Sequence, residues 1–192
     1  MIINSASFVT SVANKDNILI DGLNQIAFVG RSNVGKSSLI NMLTNQKKLA
    51  KASSTPGRTR LINYFLINNK LYFVDLPGYG FAQASKKEVY GWQSLIEPYL
   101  MNNDKLKLVC MLVDARITPT IQDKQMFEYL AYYGVPFLIV ATKSDKLSKA
   151  QLNRSKVNIA NTLGVGVDNV ICVSNETKDG KEKLLGIMDK YL

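Results

Sequence analysis

The chain has 192 residues, 46% of them hydrophobic, and a formal charge of +9 from 24 Lys and Arg against 15 Asp and Glu. That length suits one compact α/β domain with a substantial core, and no apolar run approaches the roughly eighteen residues of a membrane span. With no histidine, and with Cys110 and Cys172 each inside an apolar run, a Cys/His metal cluster is excluded and both thiols are expected as reduced core residues.

The opening MIINSASFVTSVANKDN lacks the basic-then-apolar order of an export signal, so a cytoplasmic protein is expected. Gln25–Val29 is a short apolar run ending at Gly30, which reads as a buried strand. Lys36–Leu43 carries helical spacing through Leu39, Ile40 and Leu43. Leu61–Ile67 and Lys70–Val74 read as strands joined by Asn68 and Asn69 alone, a connection that makes them antiparallel neighbours. The rest alternates: a helix from about Trp92, a strand Leu106–Val113, a helix from about Ile121, a strand Pro136–Ala141, a helix from about Ser148, a strand Asn169–Val173 and a closing helix from about Gly180. Such alternation predicts a mostly parallel sheet with helices on both faces, which binds ligands at the carboxyl ends of its strands.

Charge is unevenly placed along this order. Between Asp21 and Asp75 there is no acidic residue, while Arg31, Lys36, Lys47, Lys48, Lys51, Arg58, Arg60 and Lys70 fall there. One segment therefore carries nearly the whole imbalance, the pattern of a surface that meets phosphates. Nucleotide phosphates with solvated lysines would account for it, and so would contact with a nucleic acid in addition.

GRSNVGKS at 30–37 fits G-x-x-x-x-G-K-[ST] between a predicted strand and a predicted helix. Gly30 and Gly35 let the backbone turn, so that the amides of Arg31, Ser32, Asn33, Val34 and Ser38 can lie around a phosphate chain. Lys36 supplies a point charge to β- and γ-phosphates, Ser37 a hydroxyl to Mg²⁺, and the helix its positive end. In the DLPG segment Asp75 would hold Mg²⁺ through water and the Gly78 amide would touch a γ-phosphate, with Leu76 and Pro77 between them. Thr142, Lys143, Ser144 and Asp145 form a [NT]KxD pattern at a strand end. A carboxylate there accepts two hydrogen bonds from guanine that adenine cannot donate, and the Lys143 stem would lie over the base. Ser and Asp are also good N-caps, so an isolated TKSD reads equally as a helix start. Val173, Ser174 and Asn175 follow the last strand, where a backbone amide could reach the guanine carbonyl.

FVTSVAN, IAFVGRSNVGKSSLIN, STPGRTRLINYF, FVDLPGYGFAQASKKE, DARITPTIQDKQM and ATKSDKL, in that order, resemble the bacterial EngB/YsxC/YihA GTPases over roughly residues 8–190. Two positions depart from that pattern: Ile117, where many members carry His, and Asn175, where Ala or Ser is usual. The resemblance implies a three-layer P-loop NTPase fold of the Ras type, a mostly parallel α/β sheet with one antiparallel edge hairpin. It implies a single GTPase domain over 1–192, with residues 1–24 an extension strand packed on it. It further implies GTP and GDP as ligands, Mg²⁺ held by Ser37, Thr59 and Asp75, and a role in assembly of the large (50S) ribosomal subunit and in septation. The T-P-G-[KR]-T pattern puts the metal ligand at Thr59 rather than Thr55, with Gly57, Arg58, Arg60 and Leu61 beside the nucleotide; TPGRT could also be an ordinary basic turn. Membrane insertion is not expected, and a monomer is.

Tyr79 stands where Ras-like members have the glutamine that orients the attacking water. A phenol with a pKa near 10 cannot replace that amide, so slow hydrolysis is expected, with Tyr79 packed or facing solvent. Lys36, Thr59, Gly78 and Asn33 are the groups expected at the reacting phosphate. In potassium-activated relatives the asparagine at the Asn33 position holds K⁺, and Asn33 would otherwise only brace the loop. Arg31 and Arg58 are the alternative cations. FAQASKKEVYGW adds Lys86, Lys87, Tyr90 and Trp92 to a second surface near the switch, with Trp92 more easily read as core. A small-molecule phosphotransferase would need a general base and an acceptor pocket, and neither is visible. A septum- or membrane-associated GTPase scaffold would need an amphipathic partner element, whereas GKEKLLGIMDKYL spaces its apolar residues as a docking helix.

Overall fold

A computed structural model describes residues 1–51, 61–79 and 86–192, with 86–92 described by backbone alone. In chain order the elements are β1 (Ala6–Val12), β2 (Asn24–Gly30), α1 (Lys36–Thr44), β3 (Ile62–Ile67), β4 (Leu71–Asp75), α2 (Lys86–Met101), β5 (Leu106–Asp114), α3 (Ile121–Tyr132), β6 (Phe137–Thr142), α4 (Lys149–Leu163), β7 (Val170–Cys172) and α5 (Lys181–Asp189). They build one seven-stranded sheet in the order β1-β3-β4-β2-β5-β6-β7. β1 and β3 pair antiparallel, as do β3 and β4, and every other neighbour is parallel.

The hairpin follows from its two-residue turn. Asn68 and Asn69 both take positive φ, 51° and 53°, which matches the right-handed twist of the strands they join and which asparagine tolerates. β1 extends this pair at the sheet edge, with a register shift between Phe8 and Thr10.

Side chains alternate across the sheet. Ile26 and Phe28 of β2, with Leu108, Cys110 and Leu112 of β5, join Leu39, Ile40 and Leu43 of α1 and Leu184, Leu185 and Met188 of α5. Ala27 and Val29, with Val109, Met111 and Val113, face Leu95, Ile96 and Tyr99 of α2, Met126 and Leu130 of α3, and Ile159 and Leu163 of α4. Both faces are thus covered, as a parallel sheet requires. Cys110 is buried, Cys172 is half-buried against the core, and both are free thiols.

α2 departs most from expectation, starting at Lys86 rather than near Trp92. Gly91 reads locally as a break, and Pro98 also lies inside the helix. The buried stripe Leu95, Ile96, Tyr99 and Leu100 outweighs a glycine cost of about 1 kcal/mol. Among the described residues no helix is long and apolar enough to cross a membrane.

Candidate functional site

β2 delivers the chain into the 30–37 loop at a point where no side chain fits. A Cβ on Gly30 would lie 2.7 Å from Val34 Cγ1 and 3.0 Å from Leu112 Cβ. Asn33 (φ 62°) and Gly35 (φ 105°) then turn the backbone through the left-handed region. The amides of Asn33, Gly35, Lys36 and Ser37 have no hydrogen-bond partner among the described residues, at the positive end of α1. Such a row of free N–H groups is chemically a seat for an anion. Lys36 pairs with Asp75 at the end of β4, which is 5% exposed. Ser37, half-buried on the first turn of α1, and Asp75 offer a hydroxyl and a carboxylate oxygen, the hard donors Mg²⁺ prefers.

The segment after β4 lies along this loop. Leu76 N–H donates to Phe28 O (3.0 Å), Tyr79 N–H to Gly30 O (3.3 Å) and Ser32 N–H to Tyr79 O (3.3 Å). A Cβ on Gly78 would be 3.2 Å from Gly30 O, so any larger residue would push the two segments apart by a few tenths of an ångström. Tyr79 is packed rather than solvent-facing, and its hydroxyl donates to Asp123 Oδ1 at 3.0 Å. Burial, then the adjacent carboxylate, push its pKa well up, so it is no base. Arg31 is not spread over the phosphate loop as a reserve cation; its Nε lies 3.3 Å from Asp123 Oδ2.

β6 and β7 supply the other side. The Thr142 hydroxyl donates to Val34 O at 2.6 Å, tying the end of β6 to the loop. Lys143 turns through φ 61°, and its ammonium donates to Asn33 O and to Asp114 Oδ2, each at 2.9 Å. Its stem therefore runs from the end of β6 to the phosphate loop, with the head anchored on that loop and on the end of β5. Burial raises the Asp114 pKa, but hydrogen bonds from Arg116 and Lys143 outweigh it and hold the carboxyl well below its usual range. Ser144 N–H donates to Val173 O (3.2 Å). Asp145 accepts from Ser174 Oγ at 2.9 Å and sits 3.0 Å from Lys146 Nζ; Lys146 first, then Ser174, lower its pKa against burial. Ser174 Oγ also accepts from the amides of Glu176 and Thr177. Asn175 Nδ2 donates to Gly35 O at 3.2 Å, while its buried Oδ1 has no partner among the described residues.

Residues 30–38, 75–78, 142–145 and 173–175 thus converge at the carboxyl ends of β2, β4, β6 and β7. Leu61 is half-buried just before β3. Gly57, Arg58, Thr59 and Arg60, with Thr55, lie outside the described residues, as do the side chains of Lys86, Lys87, Tyr90 and Trp92. The sequence pattern assigned no role to Asp114, which with Arg116 beside it anchors Lys143, or to Asp123, which faces Arg31 and Tyr79. For Asp123 a signal was present, since Thr120 and Asp123 have capping-box spacing.

A sequence model of the family described as 50S ribosome-binding GTPase matches residues 25–143. The chain is 50% identical over 186 residues to the probable GTP-binding protein EngB of Clostridium perfringens strain 13, covering 96% of this chain and 94% of that protein. It is 50% identical over 194 residues to the probable GTP-binding protein EngB of Desulforamulus reducens, covering 100% and 95%. A crystal structure of a probable GTP-binding protein EngB matches with a TM-score of 0.73 at 26% identity, covering 87% of this chain and 97% of that one. A variant of Era from Aquifex aeolicus, solved with GDP and AlF₄⁻, matches with a TM-score of 0.67 at 24% identity over 88% and 57% of the two chains. That likeness shows the three-layer P-loop NTPase fold of the Ras type.

Proposed function

The chain belongs to the EngB family of GTP-binding proteins, and from that premise we propose that it is a slow GTPase switch in assembly of the large ribosomal subunit, with an effect on septation through that role. The observation that carries this reading is the tie between two loops: Lys143 bridges to Asn33 while Asp145, two residues on, is held by Ser174. A triphosphate seat and a purine-selecting carboxylate are thereby held in one rigid frame.

In this reading the residues form a single GTPase domain with residues 1–24 an extension strand on it, monomeric and cytoplasmic. The free amides of Asn33, Gly35, Lys36 and Ser37, with the Lys36 ammonium, hold the phosphates, and Asp145 accepts two hydrogen bonds from guanine, with Ser174 fixing its rotamer. Asn175 offers its backbone amide to the guanine carbonyl. Ser37 and Asp75, with Thr59, would hold Mg²⁺, which when bound supplies Lewis-acid charge at the phosphates. The Gly78 amide senses the γ-phosphate. Asn33, exposed at the lip of the loop, is the K⁺ ligand. Hydrolysis is slow because Tyr79, sequestered on Asp123, positions no water. The acid-free stretch 22–74 is the surface offered to ribosomal RNA, with Lys47, Lys48 and Lys51 foremost.

Titration of the purified protein with labelled GTP and GDP in competition with ATP, followed by phosphate release, tests the enzymatic half. Guanine nucleotides at least about a hundredfold tighter than ATP, with slow release, support it; equal affinity for ATP would remove it.

A further inference from the structure

Asp123, on the first turn of α3, is 1% exposed and takes no part in the phosphate, metal or base contacts above. Its Oδ2 accepts from the Thr120 amide and hydroxyl, both at 2.8 Å, which completes the helix cap. Capping needs only that oxygen. Oδ1 is committed elsewhere, to the Tyr79 hydroxyl at 3.0 Å, and Oδ2 also faces Arg31 Nε at 3.3 Å. Arg31 and Tyr79 are the two residues of a short parallel bridge between the phosphate loop and the segment after β4. The bridge's own hydrogen bonds, Tyr79 N–H to Gly30 O and Ser32 N–H to Tyr79 O, are long at 3.3 Å each. One carboxylate on α3 therefore hydrogen-bonds one side of a weak backbone bridge and pairs by charge with the other, where the buried Arg31 Nε makes no hydrogen bond among the described residues; beside it lies a glycine whose Cβ would be 3.2 Å from Gly30 O and 3.4 Å from Ser32 N.

We propose that Asp123 is a positioning residue for the γ-phosphate-sensing loop: by holding Tyr79 and Arg31 together it fixes the Gly78 amide against Gly30–Ser32, and so sets how strongly the site distinguishes GTP from GDP. This rests on the GTPase reading. Tyr79, though it stands at the water-orienting position, then serves as the hinge pin of that loop, and helix α3 registers the loop's position through the same carboxylate.

Tyr79→Phe keeps the ring and removes the hydroxyl; Asp123→Asn keeps a capping oxygen and removes the charge facing Arg31. For wild type, both single variants and the double variant, Kd is measured for GDP, ATP and a non-hydrolysable GTP analogue, with kcat for GTP and amide exchange at Ser32 and Tyr79. The expected result is a GDP Kd within about threefold of wild type, an analogue Kd raised and a kcat lowered about tenfold, and faster exchange at both amides. The double variant should be no worse than the more severe single. GDP and analogue affinities falling together would leave Asp123 a merely structural cap and overturn the proposal, as would variants that match wild type throughout. A wild type that binds ATP as well as GTP sinks the GTPase reading itself, a different failure visible in the same titrations.

Discussion

The Lys143 ammonium donates to the carbonyl oxygen of Asn33 at 2.9 Å, closing a contact across 110 residues of chain between the loop after β6 and the 30–37 loop. The same head group donates to Asp114. Lys143→Ala would leave a loop carbonyl and a buried carboxylate short of a donor. A charge-assisted hydrogen bond of this kind contributes roughly 2 kcal/mol. GDP and GTP affinities should therefore fall together by about tenfold or more, measured by titration, because the tie serves the seat common to both nucleotides.

Asp145 is held by Ser174 on one oxygen and Lys146 on the other. Asp145→Asn replaces an acceptor with a donor where, in the proposed reading, guanine presents two donors. Loss of GTP affinity by about three orders of magnitude is expected, together with a gain for xanthosine triphosphate, whose second ring carbonyl can accept from the new amide. Competition titration reads both. Ser174→Ala should show a weaker form of the same loss, since it frees the carboxylate without changing its chemistry.

Asn33 sits at φ 62°, so a loss in Asn33→Ala would mix side-chain removal with backbone strain. Asn33→Gly separates them, since glycine accepts that φ. Wild-type turnover in KCl should exceed that in NaCl at equal ionic strength by at least about tenfold. In Asn33→Gly the ratio should fall to about one. A ratio of one in wild type would mean that Asn33 only braces the loop.

Asp114 titrates below its unfolded value of about 3.9 because Arg116 and Lys143 donate to it. Near that pH the unfolded chain binds more protons than the folded one, so this contribution to stability is complete above about pH 4 and is lost as pH falls further. Urea denaturation as a function of pH should show a steep acid limb in wild type. In Asp114→Asn stability should be lower by roughly 2 kcal/mol at neutral pH, with a shallower slope below about pH 4.

The parts of this molecule that local pattern encodes were legible beforehand. Strand alternation, the Asn68–Asn69 hairpin and the four loops at the carboxyl ends of the strands all follow from spacing and turn chemistry. α2 starts at Lys86 rather than near Trp92, because local spacing there does not show how far a helix held by the buried stripe from Leu95 extends. Tyr79 could be narrowed only to packed or solvent-facing. Its partner, Asp123, lies 44 residues downstream in a run whose spacing announces a helix cap and nothing more. A carboxylate that caps with one oxygen and clamps a distant loop with the other leaves no periodic trace, and neither does Asp114 beneath Lys143.

The central claim is that GTP switches this protein onto the large ribosomal subunit. Isolated 50S subunits are sedimented through sucrose with the protein carrying either GDP or a non-hydrolysable GTP analogue, at two salt concentrations. The account predicts that the analogue-bound form travels with the subunits, that the GDP form stays largely in the supernatant, and that higher salt releases the analogue-bound form. Equal sedimentation in the two nucleotide states, or none in either, would contradict it.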